Sequence, residues 1–139
     1  MSNVKFIQTD GGRKENGFES EAYDCTVRAL VPITGLTYST CHDLARRAGR
    51  MYGRKTQMSP IIRLADSERK VTLLDTIGYW SRPTLQRPTV AQWLRMPGND
   101  SGKFIVRVNG HVFAVVNGEC FDTCPMRMGR RVTHVWKFA

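Results

Sequence analysis

Two Asn-Gly dipeptides, Asn109-Gly110 and Asn117-Gly118, bracket the apolar segment His111–Val116 and constrain this chain more than any other feature. Asn-Gly readily takes the left-handed backbone that a two-residue hairpin turn requires, so each pair predicts a reversal between two strands. Lys103–Val108, before the first turn, alternates so that Phe104, Val106 and Val108 share one face. His111–Val116 is then the next strand, Glu119–Thr123 the one after it, and Arg131–Phe138 a last one. A two-residue turn at Asn117-Gly118 pairs Val116 with Glu119, Phe113 with Asp122 and His111 with Cys124. That register is demanding: a slip of one residue would send every side chain to the opposite face.

The preceding part of the chain reads as helices. Asp24 stands as an N-cap, followed by Val27, Leu30 and Val31 at helical spacing, with Ala29 and Ile33 nearby. Pro32 either kinks this helix or falls close to its end, and Gly35 closes it. A second helix is expected over Tyr38–Ala48, capped by Thr37 or Ser39, with Leu44, Ala45 and Ala48 inward. Ser59-Pro60 opens a short helix through Ala65, and Val71–Leu74 has the pattern of a short strand. Gly78–Pro88 reads as a loop carrying Trp80, and Thr89 caps a helix over Val90–Met96 with Trp93 and Leu94 inward. Thr9–Glu21 is polar and contains glycine, so residues 1–21 are taken as a lead-in segment. Helices first and a strand meander afterwards predict an α+β fold: N-terminal helices packed on a C-terminal antiparallel sheet, one domain over residues 1–139.

Composition narrows the function classes. At 139 residues and 41% hydrophobic, the chain can build a core without disulfides, and wholesale disorder is excluded. Its longest apolar runs, Ala29–Ile33 and Val112–Val116, fall far short of the roughly 20 residues a membrane span needs. Met1–Asp10 lacks a charged start followed by an apolar stretch, so a cytoplasmic protein with no membrane partner is expected. In that compartment Cys25, Cys41, Cys120 and Cys124 are thiols. A zinc site from Cys41, His42, Cys120 and Cys124 is a weak alternative, because adjacent residues on a helix diverge; neither metal nor cofactor is expected. Cys41, Cys120 and Cys124 are read as small buried apolar residues, and His42 and His134 as structural. The net charge of +9 favours acidic partners. Its densest groups are Arg46, Arg47, Arg50, Arg54 and Lys55, then Arg127, Arg130, Arg131 and Lys137. With no interleaved aromatic motif these predict a solvated basic face and at most weak, non-specific nucleic-acid binding. Nothing in the pattern specifies an oligomeric state.

The chemistry concentrates at Cys25. A thiol nucleophile needs a lowered pKa, a base within reach and a group that orients the base. Cys25 follows a cap, so a helix dipole and free amides favour its thiolate and offer donors for an oxyanion. His111 opens a strand immediately after a turn, at a sheet rim where an imidazole can face a helix end. The hairpin register puts Asp122 on the face of His111, one diagonal away, where a carboxylate can orient the ring. Trp80 and Trp93 are candidates for the lining of a substrate groove.

The segment Asp24-Cys25-Thr26-Val27-Arg28-Ala29-Leu30 resembles the nucleophile helix of papain-like cysteine peptidases. Within that superfamily it is most similar to the peptidase domains of bacteriocin-processing exporters and to small phage proteins of that type. Gly102–Asp122, with Gly110-His111-Val112-Phe113-Ala114-Val115-Val116 at its centre, resembles their histidine strand and the acidic residue after it. The likeness runs loosely from Gly17 to Phe138. It implies a papain-like fold in which Cys25 is nucleophile, His111 general base and Asp122 the orienting acid. It further implies a peptide or protein substrate, and a phage-encoded protein working in the host cytoplasm. One position departs: the glutamine those peptidases place six residues before the cysteine, an oxyanion donor, is Glu19 here, so Ser20, Tyr23 or a protonated Glu19 would have to serve. The function expected is a cysteine hydrolase, peptidase or amidase. A basic binding module on the same fold, for a host protein or nucleic acid, and an acyl transferase using the same pair are the alternatives.

Overall fold

The structure, a computed structural model, describes residues 5–139; the first four residues of the lead-in segment lie outside the described residues. Its elements run β1 (Lys5–Gln8), α1 (Cys25–Thr34), α2 (Tyr38–Arg47), α3 (Met58–Ser67), β2 (Leu73–Gly78), α4 (Val90–Arg95), β3 (Lys103–Val108), β4 (His111–Val116), β5 (Glu119–Asp122) and β6 (Val132–Phe138). This is an α+β arrangement, four helices and a six-stranded sheet in the order β1-β5-β4-β3-β6-β2. The sheet is mixed, not antiparallel throughout: β1 runs parallel to β5, with Lys5 opposite Glu119 and Gln8 opposite Asp122. Part of the expected lead-in is therefore a strand. Its pattern is too short and too exposed to announce itself, and the open edge of β5 is what recruits it.

The hairpin chemistry sets the rest of the register. Asn117 and Gly118 both take positive φ, 49° and 78°, the conformation of a primed two-residue turn. Val116 pairs with Glu119, Val115 with Cys120 and Ala114 with Phe121, the pairing that the turn predicts. Across the first turn Val108 pairs with His111, with Gly110 at φ 77°. Alternation along β3 and β4 then divides the interior in two. Ile105, Val112 and Ala114 pack with Val27, Leu30, Leu44, Ile61 and Ile62 under α1–α3. Phe104, Val106, Val108, Phe113 and Val115 pack with Val90 and Trp93 under α4 on the other face.

The helices end where local chemistry stops them. Pro32 lies inside α1, one turn before Gly35, whose left-handed φ of 70° closes the helix through its amide to the Val31 carbonyl. Thr37 caps α2, accepting from the Thr40 amide. α4 carries a full capping box between Thr89 and Gln92. α3 starts one residue before the expected Ser59 cap, with Gln57 at the N-cap position and no side-chain hydrogen bond there. The strand expected at Val71–Leu74 lies later, because Leu73–Gly78 is the stretch that finds a partner in β6. No helix among the described residues is long and apolar enough to cross a membrane.

Candidate active site

Cys25 is the first residue of α1, and α1 packs against β4, so the start of the helix meets the start of the strand at one rim of the sheet. His111 sits at that strand start, directly after the Asn109-Gly110 turn. Asp122 ends β5; the β4–β5 pairing stops at Ala114–Phe121, short of the expected Phe113–Asp122 and His111–Cys124 pairs, yet the carboxylate still reaches the ring. The three expected site residues are brought together. His111 Nε2 lies 2.5 Å from Asp122 Oδ2, which leaves Nδ1 unbound to the carboxylate, and Cys25 lines the same cavity close enough for thiol and ring to shift one another's pKa.

The electrostatics favour a charged pair. Burial opposes charge on His111, but hydrogen bonds to Asp122 and Cys25, and the charges of both, push its pKa up to about 9. Burial likewise raises the Cys25 thiol, and is outweighed by the His111 hydrogen bond, the Val112 amide and the charges of His111 and Arg28. The result lies below the usual 9.0. Asp122 follows the same balance: burial raises it, but the His111 bond and charge, the Thr123 amide and Arg28 hold it below the ordinary carboxylate range.

Arg28 is the residue that sequence reasoning missed. Its Nη1 donates to Asp122 Oδ1 at 2.8 Å and its Nε to Asp24 Oδ1 at 3.1 Å, tying the acid behind the histidine to the helix start. The i, i+4 spacing of Asp24 and Arg28 is the one signal that could have found it. Asp24 occupies the expected N-cap position but makes no side-chain cap; its carboxylate accepts from Tyr38 Oη at 2.7 Å, from Arg28 and from Arg13 at 3.2 Å. Charged and phenolic donors offer a buried carboxylate more than a backbone amide does, so they take it.

A cavity of about 470 Å³ opens beside Cys25 and His111, lined also by Thr26, Gln57, Met58, Trp80 and Trp136 among others. Trp80 is more than half exposed at its edge, whereas Trp93 is absent from it, buried under α4 and edge-on to Phe104 at 5.0 Å. His134, expected to be structural, lines it too. The Thr26 hydroxyl and His134 Nδ1, both from lining residues, are buried atoms without a partner within the described residues. Glu19, Ser20 and Tyr23 do not line the cavity; Ser20 instead bonds Tyr52 Oη at 2.8 Å. Gln57 does line it, and its side chain makes no cap hydrogen bond at the start of α3.

The other expectations resolve locally. His42 Nε2 bonds the buried Glu21 at 2.6 Å, Cys41 lies in the core under α1–α3, Cys120 in the core under α4, and Cys124 is exposed rather than buried. The ligands of the zinc alternative are thus scattered, and no group of three or more possible ligands forms among the described residues. The first basic cluster is not a bare patch: Arg46 and Arg47 hold Asp43, Arg47 also holds Glu68, and Arg50 is buried against Glu21. Comparison with protein-family models, curated proteins and solved structures finds no match to this chain.

Proposed function

We propose that the chain is a papain-like cysteine hydrolase acting on an amide or thioester bond, with Cys25 as nucleophile, His111 as general acid and base and Asp122 as its orienting group. One observation carries this reading: a helix-terminal thiol and an imidazole line a single cavity, and the imidazole is bound behind it to a carboxylate at 2.5 Å. The Cys25 thiolate adds to the substrate carbonyl, and the oxyanion that forms is met by the free amides at the start of α1. Gln57, an amide side chain in the cavity lining, is proposed as a further donor for that oxyanion, in the role of the family's glutamine. His111 gives its Nδ1 proton to the leaving group as the tetrahedral adduct collapses to an acyl-enzyme. It then takes a proton from water, which releases the acyl group as an acid and restores the thiolate.

Iodoacetamide at limiting dose tests the reading without a substrate. Cys25 should be alkylated well ahead of Cys41, Cys120 and Cys124, as read by peptide mass spectrometry, and His111→Ala should erase that lead. Labelling of Cys25 no faster than of exposed Cys124 would remove the nucleophile and leave a binding module. The ion pairs that occupy Arg46, Arg47 and Arg50 already count against a nucleic-acid surface there.

A further inference from the structure

The wall beside Cys25 carries two cations, Lys55 and Arg107, and no aspartate or glutamate. Neither cation meets a carboxylate among the described residues. Lys55 Nζ donates to the Gly110 carbonyl at 3.2 Å, and Arg107 Nη1 to the Thr133 hydroxyl at 2.7 Å while the guanidinium lies 5.8 Å over the Trp80 ring. Other cations are neutralised in place, since Arg13, Arg28, Arg46, Arg47 and Arg50 each hold an acid, while Arg87, Arg130 and Arg131 also donate to carbonyls but do not line the cavity. Cations satisfied by neutral oxygens keep their whole charge for a ligand, and a concave site with low-dielectric walls concentrates its field. One stretch of the wall is a flat aromatic stack: Trp80 stacks on His134 at 6.4 Å and His134 on Trp136 at 5.9 Å. His134 adds a ring there and no charge, since burial and the Arg107 charge pull its pKa below 6.5.

We propose that this cavity binds a carboxylate, carried by the substrate next to the bond offered to Cys25, with the apolar part of the same residue laid on the Trp80–Trp136 wall. The inference rests on the hydrolase reading and names its substrate class: peptides or acyl amides with an anionic group beside the scissile bond. The carboxylate belongs either to an acidic side chain or to a free chain end.

Iodoacetate and iodoacetamide differ by one charge at nearly equal size, so they probe the field at Cys25 directly. With either reagent the thiolate forms the S–C bond and iodide leaves with the C–I electron pair. The measured quantity is the rate of iodoacetate over that of iodoacetamide at Cys25, divided by the same ratio at Cys124, which cancels the pull of the net charge. We expect a value of roughly 10 or more at low ionic strength, shrinking with added salt and falling several-fold in Lys55→Gln or Arg107→Gln. A value near unity overturns the proposal, as does one that neither substitution changes, since His111 would then supply the charge alone. Sluggish labelling by iodoacetamide itself strikes the hydrolase reading, so the two failures are separable. Protection of Cys25 against iodoacetamide identifies the source of the anion: N-acetylglutamate α-amide stands for a side chain, N-acetylphenylalanine for a chain end. Equal protection by neutral N-acetylglutaminamide would overturn the proposal, and protection by adenosine monophosphate alone would overturn it in favour of a phosphate ligand.

Discussion

Asp122 accepts two charged donors at once, Arg28 through Oδ1 and His111 through Oδ2, and so joins the fold to the site. Asparagine there keeps one acceptor oxygen and loses the charge. In Asp122→Asn the His111 pKa should fall from about 9 towards 6.5, followed by NMR titration of the ring, and the lead of Cys25 in alkylation at neutral pH should shrink. An imidazole that still titrates near 9 would show that Asp122 does not set its charge. Because folding raises this pKa, the His111 charge contributes stability that is present below pH 6.5 while Asp122 stays ionised, and that is lost as the pH climbs through about 9. Arg28→Met is expected to be harsher on stability than on local geometry. It takes one of two cations from buried Asp122, leaving His111, and one from Asp24, leaving Arg13, a loss of up to about 3 kcal/mol in chemical denaturation. Gln57→Ala, by contrast, should leave stability alone and lower kcat by roughly 10²–10³ if its amide meets the oxyanion.

Among the elements, the β3–β4 hairpin decides where the imidazole stands. Gly110 holds φ 77° one residue before His111, a backbone that a side chain resists even though the added Cβ would meet only Lys55 Nζ at 3.8 Å. Gly110→Ala should therefore destabilise by about 1–2 kcal/mol through strain and disturb His111 at the same time. A thermal melt and the iodoacetamide lead of Cys25, measured together, check both halves. The α4 capping box offers a control remote from the site: Thr89→Ala should lower stability by about 1 kcal/mol and leave Cys25 reactivity as it was. The hairpin turns, the α2 and α4 caps and the two central strands were legible in the sequence, because each is specified by residues adjacent in the chain. β1 and β2 were not. A short edge strand is chosen by the neighbour that pairs with it, and Lys5–Gln8 carries no alternation of its own to show the choice.

For the molecule as a whole, a second buried ionic cluster fastens the 50s loop to the helical layer. Glu21 takes both guanidinium nitrogens of Arg50, at 2.9 and 3.1 Å, the His42 ring and the Gly53 amide. Burial would raise the Glu21 carboxyl, but Arg50, His42 and the Gly53 and Ala22 amides bring it from 4.5 down to about 2. Its contribution is therefore present above pH 4.5 and disappears as the pH drops towards 2. Acid unfolding should follow that window in the parent chain and flatten in Glu21→Gln, measured by urea titration at a series of pH values. The same cluster holds Gly53 two residues before Lys55, so Glu21→Gln should also loosen the cavity wall. None of this was visible beforehand: Arg50 looked like one more member of a basic run, and only burial distinguishes it from Arg46 and Arg54.

By itself the sequence determined what contiguous residues can determine. Asn-Gly turns set the register that carries Asp122 towards His111, glycine and threonine set helix ends, and Asp24-Cys25 put the thiol at the first turn of a helix. Tertiary structure decided everything that depends on residues distant in the chain: that α1 lies against β4 so that thiol meets ring, that Arg28 locks the acid, that Trp80 joins the cavity and Trp93 does not, and which arginines are spent on buried acids. The reason is physical. Turn and cap preferences act through the local backbone, whereas burial, field and pairing exist only once the two faces of the sheet are covered.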